Sequence, residues 1–319
     1  MIYFKIGNIP IHKKGVFAPL LDYSTLPYRL LVREHNCDLC YTEMVHTYHI
    51  TSLDSSLFNK EELLMSASED KTTSLQLVGD FTNKKTTLDA AHIIDKYKSF
   101  NIIDLNLGCP SERIIAGKSG SAHLKDITKI ISIIKELKET CSKPITVKTR
   151  LGYSKNEINF IYSELLKTGI DAIAIHARTA KNNYSIPSSP DIVRDLIKES
   201  PVPIIYNGDV NEKNYQDYLD FPALMVGRGA LGFPQIFDLI DGKKKEIKIN
   251  ERIKTLNEYI TLCKKHPISF TKVKIAALLF IKEIPGSTVI RNKISQSKSI
   301  EEILEITKKI ESKLKEQLQ

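Results

Sequence analysis

Residues 102–110 read Ile-Ile-Asp-Leu-Asn-Leu-Gly-Cys-Pro, a short and mostly apolar run followed by a glycine, a cysteine and a proline. Such a run is typical of a strand buried on both faces, as in a parallel sheet. Seven similar runs occur in the first 240 residues, separated by segments with helical periodicity. The eight predicted strands are 16–19, 39–44, 74–78, 102–107, 145–149, 172–176, 203–206 and 223–226. Eight strand–helix units in about 225 residues favour an α/β fold of the (β/α)₈ TIM-barrel type over a doubly wound sheet.

Beyond residue 240 the pattern changes to helices alone. Residues 241–246, Asp-Gly-Lys-Lys-Lys-Glu, form a polar break. Helical patterns follow at 252–264, 270–282 and 300–318, and the last carries apolar residues at spacings of three and four. The sequence therefore predicts a barrel domain over residues 1–240 and an all-helical domain over residues 241–319.

Composition excludes several classes of protein. The chain has 319 residues, 42% of them hydrophobic and 26% charged, which excludes collagen, a disordered tail and a disulfide mini-scaffold. No stretch approaches the roughly 18 uninterrupted apolar residues of a membrane span, and the first residues lack a signal-peptide pattern. The five cysteines form no paired framework. We therefore expect a reduced, cytoplasmic protein without a membrane segment.

The net charge of +8 lies entirely in the predicted helical domain. Residues 1–240 contain 28 basic and 28 acidic residues, whereas residues 241–319 contain 18 basic and 10 acidic ones. Lysine and arginine opposite phosphates release counterions, so this segregation favours a module that binds a polyanion such as RNA. A solvated, lysine-rich helical surface is the alternative, and charge alone leaves both open.

Almost every predicted strand is followed by a hydrogen-bonding or charged residue, or by glycine. The active site of such a barrel lies at the C-terminal ends of its strands, so these residues should converge. They are Pro19, Glu43, Gln76, Asn106, Lys148 with Arg150, His176, Asn207 with Asp209, and Gly227 with Arg228. The glycine contexts after the last two strands are typical of the phosphate site of this fold, where backbone N–H groups point at the anion.

Cys109 is the most distinctive residue in this set because it lies directly between a strand and a proline-bearing loop that is rich in glycine. A cysteine of unknown role is more often a small buried hydrophobic residue. A free thiol, however, is mostly protonated at neutral pH, so a cysteine at the barrel mouth could serve as a proton donor.

Taken in order, these motifs resemble those of the flavin-dependent tRNA-dihydrouridine synthases. The resemblance rests on 18–19 (Ala-Pro), 42–44 (Thr-Glu-Met), 75–79, 106–110, 147–150, 176–179, 207–209 (Asn-Gly-Asp) and 226–228 (Val-Gly-Arg). It spans residues 15–237 and extends more faintly into the helical tail. It implies a barrel enzyme that uses FMN and NAD(P)H to reduce uridine to 5,6-dihydrouridine in tRNA.

The resemblance also implies roles for individual residues. Cys109 would protonate C5 of the uracil ring while a hydride from flavin N5 reaches C6, and Lys148 would stabilise the negative charge of reduced flavin. The residues implied for FMN binding are Pro19, Leu20, Gln76, Asn106, Lys148, His176, Asn207, Gly208, Asp209, Gly227 and Arg228. Arg178 and Tyr184 would lie on the substrate side.

A target uracil must leave the folded tRNA to reach a flavin, and that unstacking requires backbone contacts elsewhere on the RNA. We expect the basic helical domain to supply them. We expect phosphate contacts from four basic residues that flank the apolar run 275–281: Lys272, Lys274, Arg291 and Lys293. No metal is predicted, and we expect a monomer.

The chain departs from the family pattern at Leu20, where methionine is usual, at 24–25 (Ser-Thr), and at His123, where an apolar residue is usual. Two alternatives remain open: an FMN-dependent dehydrogenase of a free pyrimidine such as dihydroorotate, and an RNA-binding protein on an inactive barrel. The basic helical domain argues against the first, and Cys109 and Lys148 argue against the second. A zinc site at Cys37 and Cys40 is disfavoured because one C-x-x-C pair supplies only two of four ligands.

Overall fold

The structure, a computed structural model, describes residues 2–54, 61–182, 184–282, 284 and 286–316, with the backbone alone for residues 313–316. Its strands are β1 (Phe4–Ile6), β2 (Ile9–Ile11), β3 (Gly15–Phe17), β4 (Leu39–His46), β5 (Thr72–Val78), β6 (Ile102–Asn106), β7 (Ile145–Arg150), β8 (Ala172–His176), β9 (Ile204–Asn207) and β10 (Leu224–Val226). Strands β3 to β10 pair in parallel in chain order, and β10 pairs with β3 to close a barrel. The predicted (β/α)₈ barrel is confirmed, and each predicted strand end lies within two residues of the observed one.

Helices follow the strands around the barrel and continue beyond it. Those of the barrel portion are α1 (Leu26–Glu34), α2 (Thr47–Ser52), α3 (Lys84–Asp95), α4 (Glu112–Ala116), α5 (Thr128–Thr140), α6 (Ile158–Leu166), α7 (Pro190–Lys198) and α8 (Ile236–Ile240). The tail forms α9 (Ile249–Lys265), α10 (Phe270–Phe280), α11 (Ser287–Gln296) and α12 (Ile300–Glu316). The tail is helical as predicted, although α11 was not predicted, and positions 317 and 318 of the last predicted helix lie outside the described residues. None of the helices in the described ranges has the length and apolar character needed to cross a membrane.

The N-terminal hairpin of β1 and β2 was not predicted, because strands of three residues carry no readable periodicity. It lies at the N-terminal end of the barrel. Ile6 and Ile11 are fully buried there, in one apolar cluster that continues through the barrel interior to Ala18 and Met225. The hairpin therefore closes the end of the barrel opposite the predicted active site.

The tail helices pack on the barrel through aromatic side chains. Tyr28 on α1 stacks on Phe17 with ring centroids 5.5 Å apart, and it contacts Tyr259 of α9 at 5.4 Å and Phe280 of α10 at 6.1 Å. Its hydroxyl donates to the carbonyl of Ala230 and accepts the amide of Gly232, each at 2.8 Å. One continuous buried cluster thus joins the barrel and the helical tail, and the division at residue 240 stays a prediction.

Candidate active site

A cleft of about 750 Å³ opens at the C-terminal ends of the barrel strands. This volume lies within the usual range for sites that bind small molecules and cofactors. The structure brings to it the predicted acid and every residue predicted for FMN: Cys109, Pro19, Leu20, Gln76, Asn106, Lys148, His176, Asn207, Gly208, Asp209, Gly227 and Arg228. Tyr184 also lines the cleft, whereas Arg178 does not.

A chain of amide hydrogen bonds crosses the base of the cleft. Gln76 Nε2 donates to Asp104 Oδ2 at 2.7 Å, and Asn106 Nδ2 donates to Gln76 Oε1 at 2.7 Å. Burial raises the pKa of Asp104 to about 6, although hydrogen bonds from Thr146 and Gln76 favour its charged form. Because Asp104 accepts from Gln76, the orientation of both amides is fixed. Gln76 keeps one N–H for a ligand, whereas Asn106 Nδ2 also contacts Met44 Sδ at 3.9 Å.

The same network holds the turn that carries Cys109. Asn106 Oδ1 accepts the backbone amides of Gly108 at 3.1 Å and Cys109 at 2.9 Å. From the other side, Arg150 Nε donates to the carbonyl oxygen of Gly108 at 2.8 Å. The backbone amide of Ser121 donates to the carbonyl oxygen of Cys109 at 3.0 Å. The half-buried thiol therefore stands on a backbone that is fixed on both sides.

The glycine loop behind Cys109 is itself held in place by His123. Gly120 has φ +60°, and a Cβ there would lie 2.9 Å from the carbonyl oxygen of Cys109. The His123 ring stacks on Phe81 at 5.0 Å, and its Nε2 lies 3.0 Å from the carbonyl oxygen of Gly79. Burial lowers the pKa of His123, so the ring is neutral and donates to this carbonyl. The histidine that departs from the family pattern thus joins the loop after β5 to the Cys109 turn.

Lys148 places a cation at the depth of the cleft. Its Nζ donates to Asn207 Oδ1 at 3.1 Å, and Asn207 Nδ2 donates to the carbonyl of Met225 at 2.8 Å. Loss of hydration, and then the charge of Arg150, lower the pKa of Lys148 to about 8, although Asp104 opposes this shift. A negative charge brought into the cleft would therefore stabilise the charged form of Lys148.

His176 is held neutral beside a group of cations. Burial, and then the charges of Lys148, Arg150, Arg178 and Arg228, lower its pKa far below the ordinary value. Arg178 donates from Nη1 to His176 Nε2 at 3.1 Å and from Nη2 to Asp209 Oδ2 at 2.5 Å. Because a guanidinium has only donors, Nε2 accepts and the ring proton lies on Nδ1. Arg178, predicted on the substrate side, is 4% exposed and supports His176 from behind the cleft wall.

Two loops form a cradle at one side of the cleft. Gly208 has φ +147° and a Cβ would lie 2.8 Å from that of Ser188, while a Cβ on Gly229 would lie 2.1 Å from the carbonyl oxygen of Val210. The loop after β10 therefore approaches the loop after β9 at Gly229, and the loop after β9 approaches Ser188 at Gly208, more closely than a side chain would allow. Burial would raise the pKa of Asp209, but the hydrogen bonds from Arg178 and the Ser188 amide outweigh it and lower the pKa. Asp209 is thus an ionised partner of Arg178, and the glycine backbone together with Arg228 makes the cradle compatible with an anion.

Tyr184 lies exposed at the mouth, with the guanidinium of Arg228 3.8 Å from the centre of its ring. This distance is a cation–π contact. The side chains of Arg150 and Arg178 are also within 6 Å of the ring, at 5.8 and 5.7 Å. An aromatic surface backed by guanidinium groups therefore forms part of the cleft rim.

The four predicted phosphate contacts of the tail lie outside the cleft. Lys272 on α10 is paired with Glu43 at 3.1 Å and with Glu62 at 2.8 Å, so carboxylates already occupy its ammonium group. Lys274 donates to the carbonyl of Ser295 at 3.1 Å and lies over the ring of Phe270. Arg291 and Lys293 are exposed on α11.

Sequence reasoning missed three basic residues that do line the cleft: Lys213, Arg252 on α9 and Lys282 after α10. Arg252 Nη2 donates to the carbonyl of Lys282 at 3.0 Å. Nothing in the sequence separates Arg252 and Lys282 from the other lysines and arginines of the tail, because only the packing of α9 and α10 on the barrel brings them to the mouth. Lys213 lies in the loop after β9, so its place after a barrel strand was the signal that could have found it.

Cys37 and Cys40, which were weighed as zinc ligands, are buried with their sulfur atoms 3.8 Å apart. Among the residues that the structure describes, no three His, Cys, Asp or Glu side chains are grouped so that they could hold a metal ion.

Comparison with protein families gives a match over nearly the whole chain. The family model described as "Dihydrouridine synthase" matches residues 16–317. A protein named "Probable tRNA-dihydrouridine synthase" from Aquifex aeolicus (strain VF5) is 27% identical, over 92% of this chain and 95% of its own length. A protein of the same name from Rickettsia conorii is 31% identical, over 74% of this chain and 72% of its own. "tRNA-dihydrouridine synthase B" from Vibrio vulnificus is 30% identical, over 74% of this chain and 73% of its own length.

Solved structures resemble the fold at low sequence identity. An old yellow enzyme homologue from Zymomonas mobilis has a TM-score of 0.54 and 12% identity, over 76% of this chain and 92% of that one. Old Yellow Enzyme from Pichia sp. AKU4542 has a TM-score of 0.52 and 13% identity, over 75% of this chain and 85% of that one. These similarities support the barrel fold.

Proposed function

The chain belongs to the dihydrouridine synthase family, and on that premise we propose that it reduces uridine to 5,6-dihydrouridine in tRNA, with FMN bound in the cleft and NAD(P)H as hydride donor. The observation that carries the proposal is the meeting of Cys109, Lys148 and the glycine cradle in one cleft. An acid, a deep cation and an anion cradle are the three groups that this reaction requires of the protein.

The residues of the cleft fit FMN. Ala18, Leu20 and Met225 give the cleft an apolar surface against which a ring system can pack. Gly227 lies beside this surface: a Cβ built on it would be 3.7 Å from the side chains of Ala18 and Leu20. The cradle of Gly208 and Gly227, with Arg228 beside it, suits a phosphate group. When bound, the flavin would supply the hydride for C6 of the uracil ring.

The protein's own residues then have distinct tasks. Lys148 holds a positive charge at the depth of the cleft, where a low dielectric strengthens its effect on a developing negative charge. Cys109 donates its thiol proton to C5, and Asn106 keeps the thiol in place by holding the turn. Neutral His176 offers its Nδ1–H as a donor without adding to the positive charge.

The mouth of the cleft suits a base drawn out of RNA. Tyr184 presents an exposed ring on which a base can stack, and Arg252 and Lys282 of the tail lie close enough to meet the adjoining backbone. Lys274, Arg291 and Lys293 would contact phosphates further away, whereas the carboxylate partners of Lys272 give it another role. We include in the proposal that the protein acts as a monomer in the cytoplasm.

An anaerobic absorbance titration tests the proposal. The purified protein, reconstituted with FMN, should show a flavin spectrum that NADPH bleaches and tRNA lacking dihydrouridine restores, with NADH run in parallel. The matched control is the same tRNA after complete modification, which should restore nothing. Bleaching without recovery by any tRNA, but with recovery by a free pyrimidine, would favour the small-molecule dehydrogenase instead. The absence of flavin binding after reconstitution would refute the proposal.

A further inference from the structure

Glu43 is a buried carboxylate at the mouth of the barrel that the proposed reaction does not use. It lies near the C-terminal end of β4 and is 1% exposed. Its Oε1 accepts the backbone amide of Asp22 at 2.5 Å and the ammonium of Lys272 at 3.1 Å, and Lys272 also lies 3.3 Å from Oε2. A charge this deeply buried is tolerated only when it is paired and hydrogen-bonded.

Lys272 reaches this carboxylate from the helical tail. It lies in the first turns of α10, and its side chain is 16% exposed. The same ammonium contacts Glu62 at 2.8 Å and lies 3.7 Å from the carboxylate of Asp22. Surrounded by three carboxylates, it has no need of an RNA phosphate, and its pairing with Glu43 joins residues that are 229 positions apart in the chain.

The loop that Glu43 contacts forms part of the cleft surface. Asp22 has φ +68°, a left-handed conformation that aspartate adopts more readily than most residues other than glycine, and the Glu43 carboxylate holds its amide there. Ser24 Oγ accepts the amide of Leu20 at 2.7 Å and donates to the carbonyl of Ala18 at 2.8 Å. Leu20 and Leu21 line the cleft. Glu43 thus anchors loop 18–24 at Asp22, next to the residues that give the cleft part of its apolar surface.

We propose that Lys272 is a positioning residue: by pairing with Glu43 it fixes loop 18–24, and through that loop it sets the apolar surface on which the cofactor packs. Helix α10 already borders the cleft at Leu279, and the Lys272–Glu43 pair couples it to the cofactor site at a second place, through loop 18–24. The inference rests on the proposed FMN site for its effect on the cofactor, whereas its effect on the loop does not depend on any ligand.

Lys272→Met tests the proposal against Lys265→Met. The control breaks another ion pair between the tail and the barrel, Lys265 to Glu69 at 2.9 Å, in which both side chains are exposed. We expect Lys272→Met to weaken FMN binding about tenfold and to speed amide hydrogen exchange in residues 18–24, because Glu43 loses its counter-charge. We expect Lys265→Met to stay within about twofold of the wild type in both measurements, because exposed ion pairs contribute little.

Two further variants separate positioning from general destabilisation. Lys272→Arg keeps the charge and should restore FMN affinity and the exchange rate. In a double-mutant cycle, Glu43→Gln with Lys272→Met should weaken FMN binding no more than the worse single variant, because both changes remove one interaction. If Lys272→Met does not fold, Glu43→Gln replaces it in the comparison with Lys272→Arg. Glutamine at position 43 removes the negative charge and keeps an acceptor for the Asp22 amide.

Steady-state kinetics distinguish this role from RNA contact. Positioning predicts that Lys272→Met lowers kcat and leaves the KM for tRNA and its salt dependence unchanged. A raised KM with a flatter salt dependence and unchanged FMN affinity would make Lys272 a phosphate contact and overturn the inference, as would unchanged FMN affinity and exchange. If the wild type binds no FMN, the proposed function fails, and the exchange of residues 18–24 still decides whether Lys272 holds the loop.

Discussion

The two ends of the barrel are built from the same eight strands and have opposite chemistry. At the N-terminal end, Ile6 and Ile11 of the hairpin are fully buried and cover the apolar interior of the barrel. At the C-terminal end, the strands finish in the polar residues Gln76, Asn106, Lys148, His176 and Asn207. One end is closed for stability, and the other keeps a cleft open for chemistry.

The polar end also carries an arrangement that disfavours folding. Lys148, Arg150, Arg178 and Arg228 all act on His176 and lower its pKa, and Arg150 also lowers the pKa of Lys148. Like charges brought together in a partly dehydrated cleft repel one another. Such a cluster is expected where an anionic ligand supplies the missing negative charge. Changes at this end should therefore alter the reaction, and changes at the other end should alter stability.

Cys109→Ala should have the largest effect on the reaction. We expect loss of its proton to reduce dihydrouridine formation by about 10²–10⁴-fold, the usual contribution of a general acid. NADPH should still bleach the bound flavin, because that step does not use the thiol. Cys141→Ala, at a half-buried cysteine after α5, is the control. Wild-type product formation by Cys109→Ala would remove its role as acid.

Lys148→Met should rank second, because it removes the cation and keeps the length of the side chain. We expect NADPH to bleach the flavin about 10²–10³-fold more slowly, the range in which a single electrostatic contact contributes to a rate. The variant should still bind FMN, since the cradle is untouched. A bleaching rate equal to that of the wild type would show that the charge of Lys148 is not used.

The pH dependence of the same step tests the state of Lys148. With a pKa lowered to about 8, the amine loses its charge as the pH rises through 8. The wild-type bleaching rate should fall by roughly tenfold between pH 7 and 9, whereas that of Lys148→Met should stay flat. The sign for stability is opposite. Between pH 8 and 10.5, the ordinary pKa of lysine, Lys148 is protonated in the unfolded chain and mostly neutral in the FMN-free folded chain. The unfolding free energy of the wild type should therefore rise with pH in this range, relative to that of Lys148→Met.

The contrast between the two ends explains what the sequence could predict. Buried parallel strands leave continuous apolar runs, so the barrel was readable, and the polar residues at the strand ends followed from it. The hairpin was missed because three-residue strands leave no pattern, and α11 was missed because Ile294 is its one buried residue in the structure as described. The positions of Lys272 and Arg252 were unreadable from local sequence, because the partner of Lys272 lies 229 positions away and Arg252 reaches the cleft only through the packing of α9 on the barrel.

The exposed basic residues of the tail should have a smaller effect, confined to RNA binding. Replacing Lys274, Arg291 and Lys293 with glutamine should weaken tRNA binding by roughly threefold for each phosphate interaction removed, and should flatten the salt dependence by about 0.7–0.9 per phosphate. A matched triple replacement of Lys84, Lys85 and Lys129, exposed on the barrel helices, should leave binding unchanged. Equal effects of the two sets would mean that net charge alone, and no docking surface on the tail, attracts the RNA.

Ile11→Ala, at the closed end of the barrel, should have the smallest effect on the reaction and a large effect on stability. Ile11 is fully buried among apolar residues, so the cavity left by the truncation should lower the unfolding free energy by about 2–5 kcal/mol. The rate per folded molecule should not change, because Ile11 lies at the opposite end of the barrel and is not among the residues that line the cleft. Chemical denaturation, with Ile2→Ala at an exposed isoleucine as control, measures the first quantity, and FMN-normalised turnover measures the second. A loss of turnover in the folded Ile11→Ala variant would show that strain at the closed end reaches the cleft through the strands, and the division of labour between the two ends would then fail.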